Sequence, residues 1–307
     1  MLISHSRWRT NKENQLVRKY IERKNMEIIK KIRQQLVEIK HNSRLLTYLW
    51  YVCRMPKFML CNRCIEKESR KRAEGKEDKR FDYIKSLKNS HLGDRCFIVA
   101  TGPSLTIEDL EKISGEFTFG MNSICKIYGE TSWRPSIYGI QDENVYGSME
   151  DDILHWYGNA NNILVSDVIA KNFVVPDNFR LFPLNRAYHD NQLEINKYFC
   201  IFSEDCYSII YDGYSITYSL IQLAIYMGFK EIFLLGTDCS YKKGEKNHFI
   251  ESGFVDKNAY NSYNRMMSGY YEIKKYVDSH NISVVNCTRG GQLEIFHRRD
   301  LDDVLKD

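Results

Sequence analysis

RCFIVATGPSLTIEDLEKI, residues 95–113, is the stretch that decides the fold. RCFIVA (95–100) is a short apolar run that ends in the turn TGPS. IEDLEKI then has helical spacing, and Thr106 with Asp109 three residues on has the form of a capping box, so a helix is expected to start there. Outward from this strand–turn–helix the texture repeats. FTFGMNSI (117–124), SIYGIQD (136–142), NILVSD (162–167) and FRLFPL (179–184) are strand candidates. ITYSLIQLAIYMGF (216–229) reads as an apolar helix and EIFLLGTD (231–238) as a buried strand ending in polar residues. Tyr260, Tyr263, Met267, Tyr270 and Val277 mark one face of a late helix, and ISVVNC (282–287) closes with another strand. Alternating strands and helices imply an α/β domain with a mostly parallel sheet flanked by helices. In such sheets ligands bind at the carboxyl ends of the strands, where the strand order reverses.

The 307 residues can bury a sizeable core in one large domain or two smaller ones. A hydrophobic share of 43% with only 5 prolines excludes a largely disordered or collagen-like chain. The 21 tyrosines suit pockets as well as packing. MLISHSRWRT (1–10) has no apolar signal core, so the nine cysteines are expected to be reduced and mostly packing residues. No run of 18 uncharged apolar residues occurs, so no transmembrane helix is expected. The expectation is a cytoplasmic globular protein.

The net charge of +4 hides a division: residues 1–90 hold 24 of the 44 Lys and Arg but only 10 of the 40 Asp and Glu. Such asymmetry suggests a basic helical arm, 1–85, joined to a catalytic or binding domain, 86–307. From Glu13 to His41 apolar residues recur at helical steps, and LLTYLWYVCRMPKFML (45–60) is apolar and aromatic but broken by Arg54, Pro56 and Lys57. The arm reads as a helical hairpin packed on the main domain or on a second copy of the chain. Alternatively residues 1–60 lie on an anionic membrane surface, with basic residues at the head groups and Leu49, Trp50 and Phe58 dipping in. No nucleic-acid module accompanies the charge, so nucleic acid is not an expected partner. EKESRKRAEGKEDKR (66–80) reads as a solvated helix or linker.

The candidate site residues follow strands. Gly102 permits close backbone approach and Ser104 offers a hydroxyl near the amides of a helix start, which suits a phosphate; an ordinary turn is the alternative. Asn122, Gln141, Asp142 and Asn144 can read the hydroxyls and base edge of a nucleoside, or simply cap their loops. Gly213 and Ser215 precede the apolar helix, another amino end able to hold an anion or merely capped by Ser215. Gly236, Thr237 and Asp238 end the buried strand. His248, in the hydrophilic loop KKGEKNHFIESG, has the near-neutral pKa that proton transfer needs, or is surface. CNRC (61–64) has redox or zinc spacing without a second pair, and EDD (150–152) reads as a helix start ahead of Ile153 and Trp156 rather than a metal cluster.

FIVATGPSL, FTFGMNSI, SIYGIQDENVY, YDGYSITYSLIQLAIYMGFKEIFLLGTDCSY, NHF and VNCTRGGQLEIFHRRDL (285–301) form one ordered series. Over about residues 93–301 it resembles the MptE-like domain family of bacterial surface-polysaccharide proteins and archaeal 6-hydroxymethylpterin pyrophosphokinases. It is also similar to the bacterial sialyltransferases of glycosyltransferase family 42, which share GPSL, a strand ending in Asn, and GxxxxxxALGxxEIxLxGxD. Family 42 implies a Rossmann-like or GT-A-like sheet, a CMP-sugar donor and inverting transfer without a metal or other cofactor. Under that resemblance Gly102, Pro103 and Ser104 approach the donor phosphate, Asn122 and the 141–144 segment hold ribose and cytosine, and Ser215 lies near the donor sugar. His248 is then the general base. Tyr241 attends the leaving group, although the family's first tyrosine is displaced here by one position and the second has no clear match. The pterin-kinase branch implies ATP, Mg²⁺ and diphosphate transfer, with Asp142 and Asp238 as metal ligands. The resemblance thus implies a glycosyltransferase of surface-polysaccharide synthesis acting on a glycan or lipid-linked acceptor. The basic, aromatic arm would hold the enzyme peripherally at the inner membrane face, or join protomers. A Mg²⁺/ATP pyrophosphokinase and a non-catalytic membrane-bound scaffold are the alternatives.

Overall fold

The structure is a computed structural model that describes residues 44–190, 198–240, 249, 252–253 and 262–306. The chain divides into two compact units, Met1–Met59 and Leu60–Asp307. In the first unit the description covers the opening turns of helix α1 (Arg44–Ala73), whose Leu45, Tyr48, Leu49, Val52 and Met59 are exposed. The helical pattern of residues 13–41 lies outside the described residues. Residues 60–85, expected in the arm, fall in the second unit. Arg72 is buried there and donates from Nε (3.0 Å) and Nη2 (2.5 Å) to the carbonyl of Ser208. Phe81 and Ile84 of the following turn and of α2 (Asp82–Ser86) enter the core. A charge-rich stretch conceals such anchors, because a long basic stem can cover apolar surface while its head finds a carbonyl.

The second unit is built on strands β1 (Arg95–Val99), β2 (Thr118–Met121), β3 (Ile137–Ile140), β4 (Ile163–Ser166), β5 (Arg180–Phe182), β6 (Leu184–Asn185), β7 (Ile210–Tyr211), β8 (Glu231–Leu235), β9 (Ser283–Asn286) and β10 (His297–Arg298). Eight of them form one sheet in the order β10-β9-β8-β1-β2-β3-β4-β5, and every pairing is parallel. The helices are α3 (Ile107–Lys112), α4 (Glu143–Tyr157), α5 (Asp167–Asn172), α6 (Ala187–Asp190), α7 (Ile216–Met227), α8 (Ser262–Ser279) and α9 (Leu301–Val304). EDD (150–152) sits inside α4, which starts at its Asp142 cap, rather than opening a helix.

The sheet is buried on both faces, as an all-parallel sheet must be. Cys96 and Ile98 of β1 and Ile232 and Leu234 of β8 pack on one side with α7 and with Tyr270, Ile273 and Val277 of α8. Phe97, Val99, Phe233 and Leu235 point to the other side, against Leu110 of α3, Ile153 and Tyr157 of α4 and Val304 of α9. FRLFPL does not stay one strand. Pro183 has no N–H for a ladder, so β5 stops at Phe182 and the chain moves to a separate two-stranded parallel sheet, β6 with β7. The Pro183 carbonyl still accepts from Ile210 N at 2.8 Å.

Strands β1 to β5 extend in one direction and β8 to β10 in the other, so the order reverses between β1 and β8. That is where parallel sheets open a crevice at the carboxyl ends of their strands.

Candidate functional site

A cleft lies at this reversal. It is lined by Ala100, Thr101 and Gly102 after β1, Met121 and Asn122 after β2, Ser215 to Thr217 at the start of α7, Gly236 to Ser240 after β8, and Met266 and Tyr270 of α8. The two turns that follow β1 and β8 are interlocked. Gly102 N donates to Gly236 O at 2.8 Å and Ser104 Oγ donates to Asp238 Oδ2 at 2.7 Å. Both glycines are dictated by this approach. A Cβ on Gly102 would lie 2.0 Å from Asp238 Oδ2 and 2.3 Å from Gly236 O, and Gly236 holds φ +62°, a left-handed conformation.

Below these turns the tail of the chain acts as a brace. Thr106 and Asp109 form the expected reciprocal capping box of α3. Arg289 grips the Asp109 carboxylate with both terminal nitrogens and donates to the Ser104 carbonyl at 3.0 Å. Burial opposes ionisation of Asp109, but these bonds and Thr106 outweigh it and hold its pKa below the ordinary carboxylate value. Thr237 N donates to Thr288 Oγ1 at 3.0 Å, and the Asp238 carbonyl accepts from Gln292 N at 2.7 Å. Arg289 in TRGG therefore ties the β1 turn to the β9 loop, a role no local motif announces.

Asp238 is the only charged side chain among the described lining residues, which include no Lys or Arg. Burial raises its pKa above the usual carboxylate value, with the Ser104 hydrogen bond opposing. Beside it Cys239 is buried, and burial pushes its thiol up to about 12, so it packs rather than attacks. The lining also holds the hydroxyl-bearing Thr101, Ser215, Thr217, Thr237 and Ser240 and the amide-bearing Asn122, beside the apolar Met121 and Met266. Such a lining suits a ligand rich in hydroxyls and low in charge.

Of the residues chosen from sequence, Gly102, Asn122, Ser215, Gly236, Thr237 and Asp238 come together in this cleft, and Ser104 joins them through Asp238. Pro103 is exposed on the turn. Gly213 is fixed by packing, since a Cβ there would lie 2.3 Å from the Tyr218 ring. Gln141, Asp142 and Asn144 do not line the cleft. Gln141 is buried, accepting from Ser219 Oγ at 2.7 Å and donating to Asp212 Oδ1 at 3.2 Å. Asp142 caps α4 by accepting from Asn144 N and Val145 N, and Asn144 is exposed on the first turn. Tyr241 and His248 lie outside the described residues. Among the described residues no three His, Cys, Asp or Glu side chains gather to hold a metal ion, and Cys61 and Cys64 are exposed free thiols. Besides Arg289, four further residues carry no site signal in the sequence: Met266 and Tyr270, the latter expected only on the packing face of its helix, which α8 brings to the cleft, and Asp212 with its partner His189.

The chain is similar in structure to the MAf glycosyltransferase from Magnetospirillum magneticum AMB-1, with 15% identity and a TM-score of 0.42, over 70% of this chain. It spans about a third (35%) of that protein's length. It is similar to the sialyltransferase CstII from Campylobacter jejuni, solved in complex with the substrate analogue cytidine-5'-monophosphate, with 14% identity and a TM-score of 0.42, over 67% of this chain and 85% of that one. No curated protein matches it. The model of the family described as 6-hydroxymethylpterin diphosphokinase MptE-like matches residues 73–244, which run from the end of α1 past β8 and carry both interlocked turns; the chain belongs to this MptE-like family.

Proposed function

We propose that the chain is a glycosyltransferase that binds a nucleotide-activated sugar in the β1/β8 cleft, with a CMP-sugar as the donor. The observation that carries this reading is the charge of the lining: among the described residues it holds hydroxyl side chains, the Asn122 amide and the single carboxylate of Asp238, with no Lys or Arg. A nucleoside monophosphate linked to a sugar brings little charge and many hydroxyls. A triphosphate brings several charges and calls for basic side chains or metal. In the transfer, the acceptor oxygen bonds to the anomeric carbon while the carbon–phosphate oxygen bond breaks on the opposite side. The departing phosphate then needs hydrogen-bond donors, and the amino end of α7, whose Ser215, Ile216 and Thr217 line the cleft, supports that part of the reading. A glycan or lipid-linked acceptor, brought to the enzyme by a basic arm on an anionic membrane face, completes the reading.

The family's description supports a second reading, diphosphate transfer from ATP with Mg²⁺. The residues present fit that metal poorly. Of the two carboxylates expected to hold it, only Asp238 lines the cleft, while Asp142 accepts the amides of its own helix start.

The test is turnover of CMP-sialic acid with EDTA present, following release of CMP. CMP release that survives chelation supports the glycosyl-transfer reading. No release, together with Mg²⁺-dependent conversion of ATP to AMP, supports the other.

A further inference from the structure

Beside the cleft stands a pair that neither turn explains. The carboxylate of Asp212, on the loop between β7 and α7, is almost wholly buried, with 4% of its side chain exposed. Its Oδ1 accepts from Tyr214 N at 2.7 Å and from Gln141 Nε2 at 3.2 Å, and its Oδ2 faces His189 Nδ1 at 2.7 Å. The His189 ring packs against Tyr214 with centroids 4.7 Å apart, and 30% of its side chain remains exposed. One residue beyond Tyr214, Ser215 enters the cleft lining. A carboxylate with both oxygens occupied is fixed as an acceptor, so it sets the imidazole with Nδ1–H toward it and leaves Nε2 as the working nitrogen. Histidines kept only for packing do not require a buried counter-ion, which by itself destabilises the fold unless paired.

We propose that His189, oriented by Asp212, accepts the proton of the acceptor hydroxyl in the transfer assigned to the neighbouring cleft. The inference rests on that assignment and gives it a proton acceptor among the described residues. As the acceptor oxygen bonds to the anomeric carbon, its proton passes to His189 Nε2. The electron pair of the broken bond leaves on the nucleoside phosphate. Asp212 is a positioning residue. Burial opposes protonation of the ring, as does Arg186, but Asp212 and Asp190, the carboxylates that face it among the described residues, outweigh them and raise the His189 pKa. Asp212 itself is held low, burial being outweighed by His189, Arg186 and the Tyr214 amide. Cys200, whose thiol burial pushes up to about 12, stays neutral nearby.

The experiment compares full-length wild type, His189→Gln, Asp212→Asn and His248→Ala. It measures CMP affinity by calorimetry and the pH profile of CMP-sialic acid turnover. His189→Gln is expected to bind CMP within about threefold of wild type and to lose at least about 100-fold in kcat, the scale of a positioned general base. The acidic limb of the wild-type profile is expected above the ordinary histidine value. Asp212→Asn should move that limb to lower pH, because burial then acts without its counter-charge, and should lower kcat on the plateau. CMP binding in each variant certifies its fold, so His189→Gln decides the matter even if the buried Asp212→Asn unfolds. If His189→Gln turns over like wild type while His248→Ala is inactive, the proposal is wrong and the cleft assignment stands. If wild type neither binds CMP nor turns over the donor, the assignment itself fails and the proposal with it.

Discussion

Ser104 Oγ donates to Asp238 Oδ2 at 2.7 Å, joining the turns that follow two strands adjacent in the sheet but 134 positions apart in the chain. The bond holds a carboxylate in a place where burial works against its charge. Function-bearing groups are often kept at such a cost to stability.

Asp238→Asn is therefore expected to melt several degrees higher than wild type at pH 7 while losing donor turnover. The folded-state pKa of Asp238 is raised, so the native state holds its proton more tightly than the unfolded chain does. Stability from this group then rises as pH falls through that raised value. The Tm gap between mutant and wild type should accordingly close toward pH 4. Equal melting points at pH 7 would count against a buried, ionised Asp238.

Gly102→Ala forces a methyl group onto the Asp238 carboxylate, which can yield only by giving up its place beside Ser104, and onto the backbone carbonyl of Gly236, which cannot yield without opening the turn. The expected loss is about 1–3 kcal/mol in chemical denaturation, as for overpacking elsewhere. Gly115→Ala is the control, since nothing lies within 4 Å of a Cβ there, and it should stay within about 0.5 kcal/mol of wild type.

Arg289→Ala leaves the buried Asp109 with only Thr106 as side-chain partner. Its expected cost is about 1–3 kcal/mol at pH 7, the scale of an abandoned buried acceptor. Because the folded Asp109 pKa is depressed, its contribution is present above the ordinary carboxylate value and is lost as pH falls through the depressed one. The mutant and wild-type denaturation curves should thus converge in acid. A constant difference from pH 7 to pH 3 would contradict the ion-pair explanation.

The exposed Leu45, Tyr48, Leu49, Val52 and Met59 alternate with Arg44, Arg54 and Lys57 on α1. The full chain is expected to sediment with vesicles rich in phosphatidylserine, and a chain lacking residues 1–59 to stay in the supernatant. Residues 60–85 must be kept, because Arg72 and Phe81 belong to the second unit. Sedimentation of the shortened chain would remove the arm as a membrane anchor.

Much of the fold was legible because its signals are local. The Thr106 capping box, the apolar runs of β1 to β4 and β8, and the unbroken apolar face of α7 each announce themselves within a few residues. The break at Pro183 was equally local, yet the apolar flanks of FRLFPL masked it. The site was legible where a residue directly follows a strand at the order reversal, as with Gly102, Asn122 and Asp238. It was not legible for Gln141, whose strand ends away from the reversal and whose amide serves Asp212 and Ser219. Arg289 and His189 owe their places to contacts across about 180 positions and 23 positions, which periodicity and spacing do not encode.

The central claim is that a lightly charged nucleotide seats in the β1/β8 cleft without metal. Calorimetric titration with CMP, CDP, UDP, ADP and ATP, each with and without Mg²⁺, tests it most directly. The account predicts selective binding of a cytidine nucleotide that is indifferent to Mg²⁺ and is lost in Gly102→Ala. Binding of ATP only when Mg²⁺ is present would contradict it.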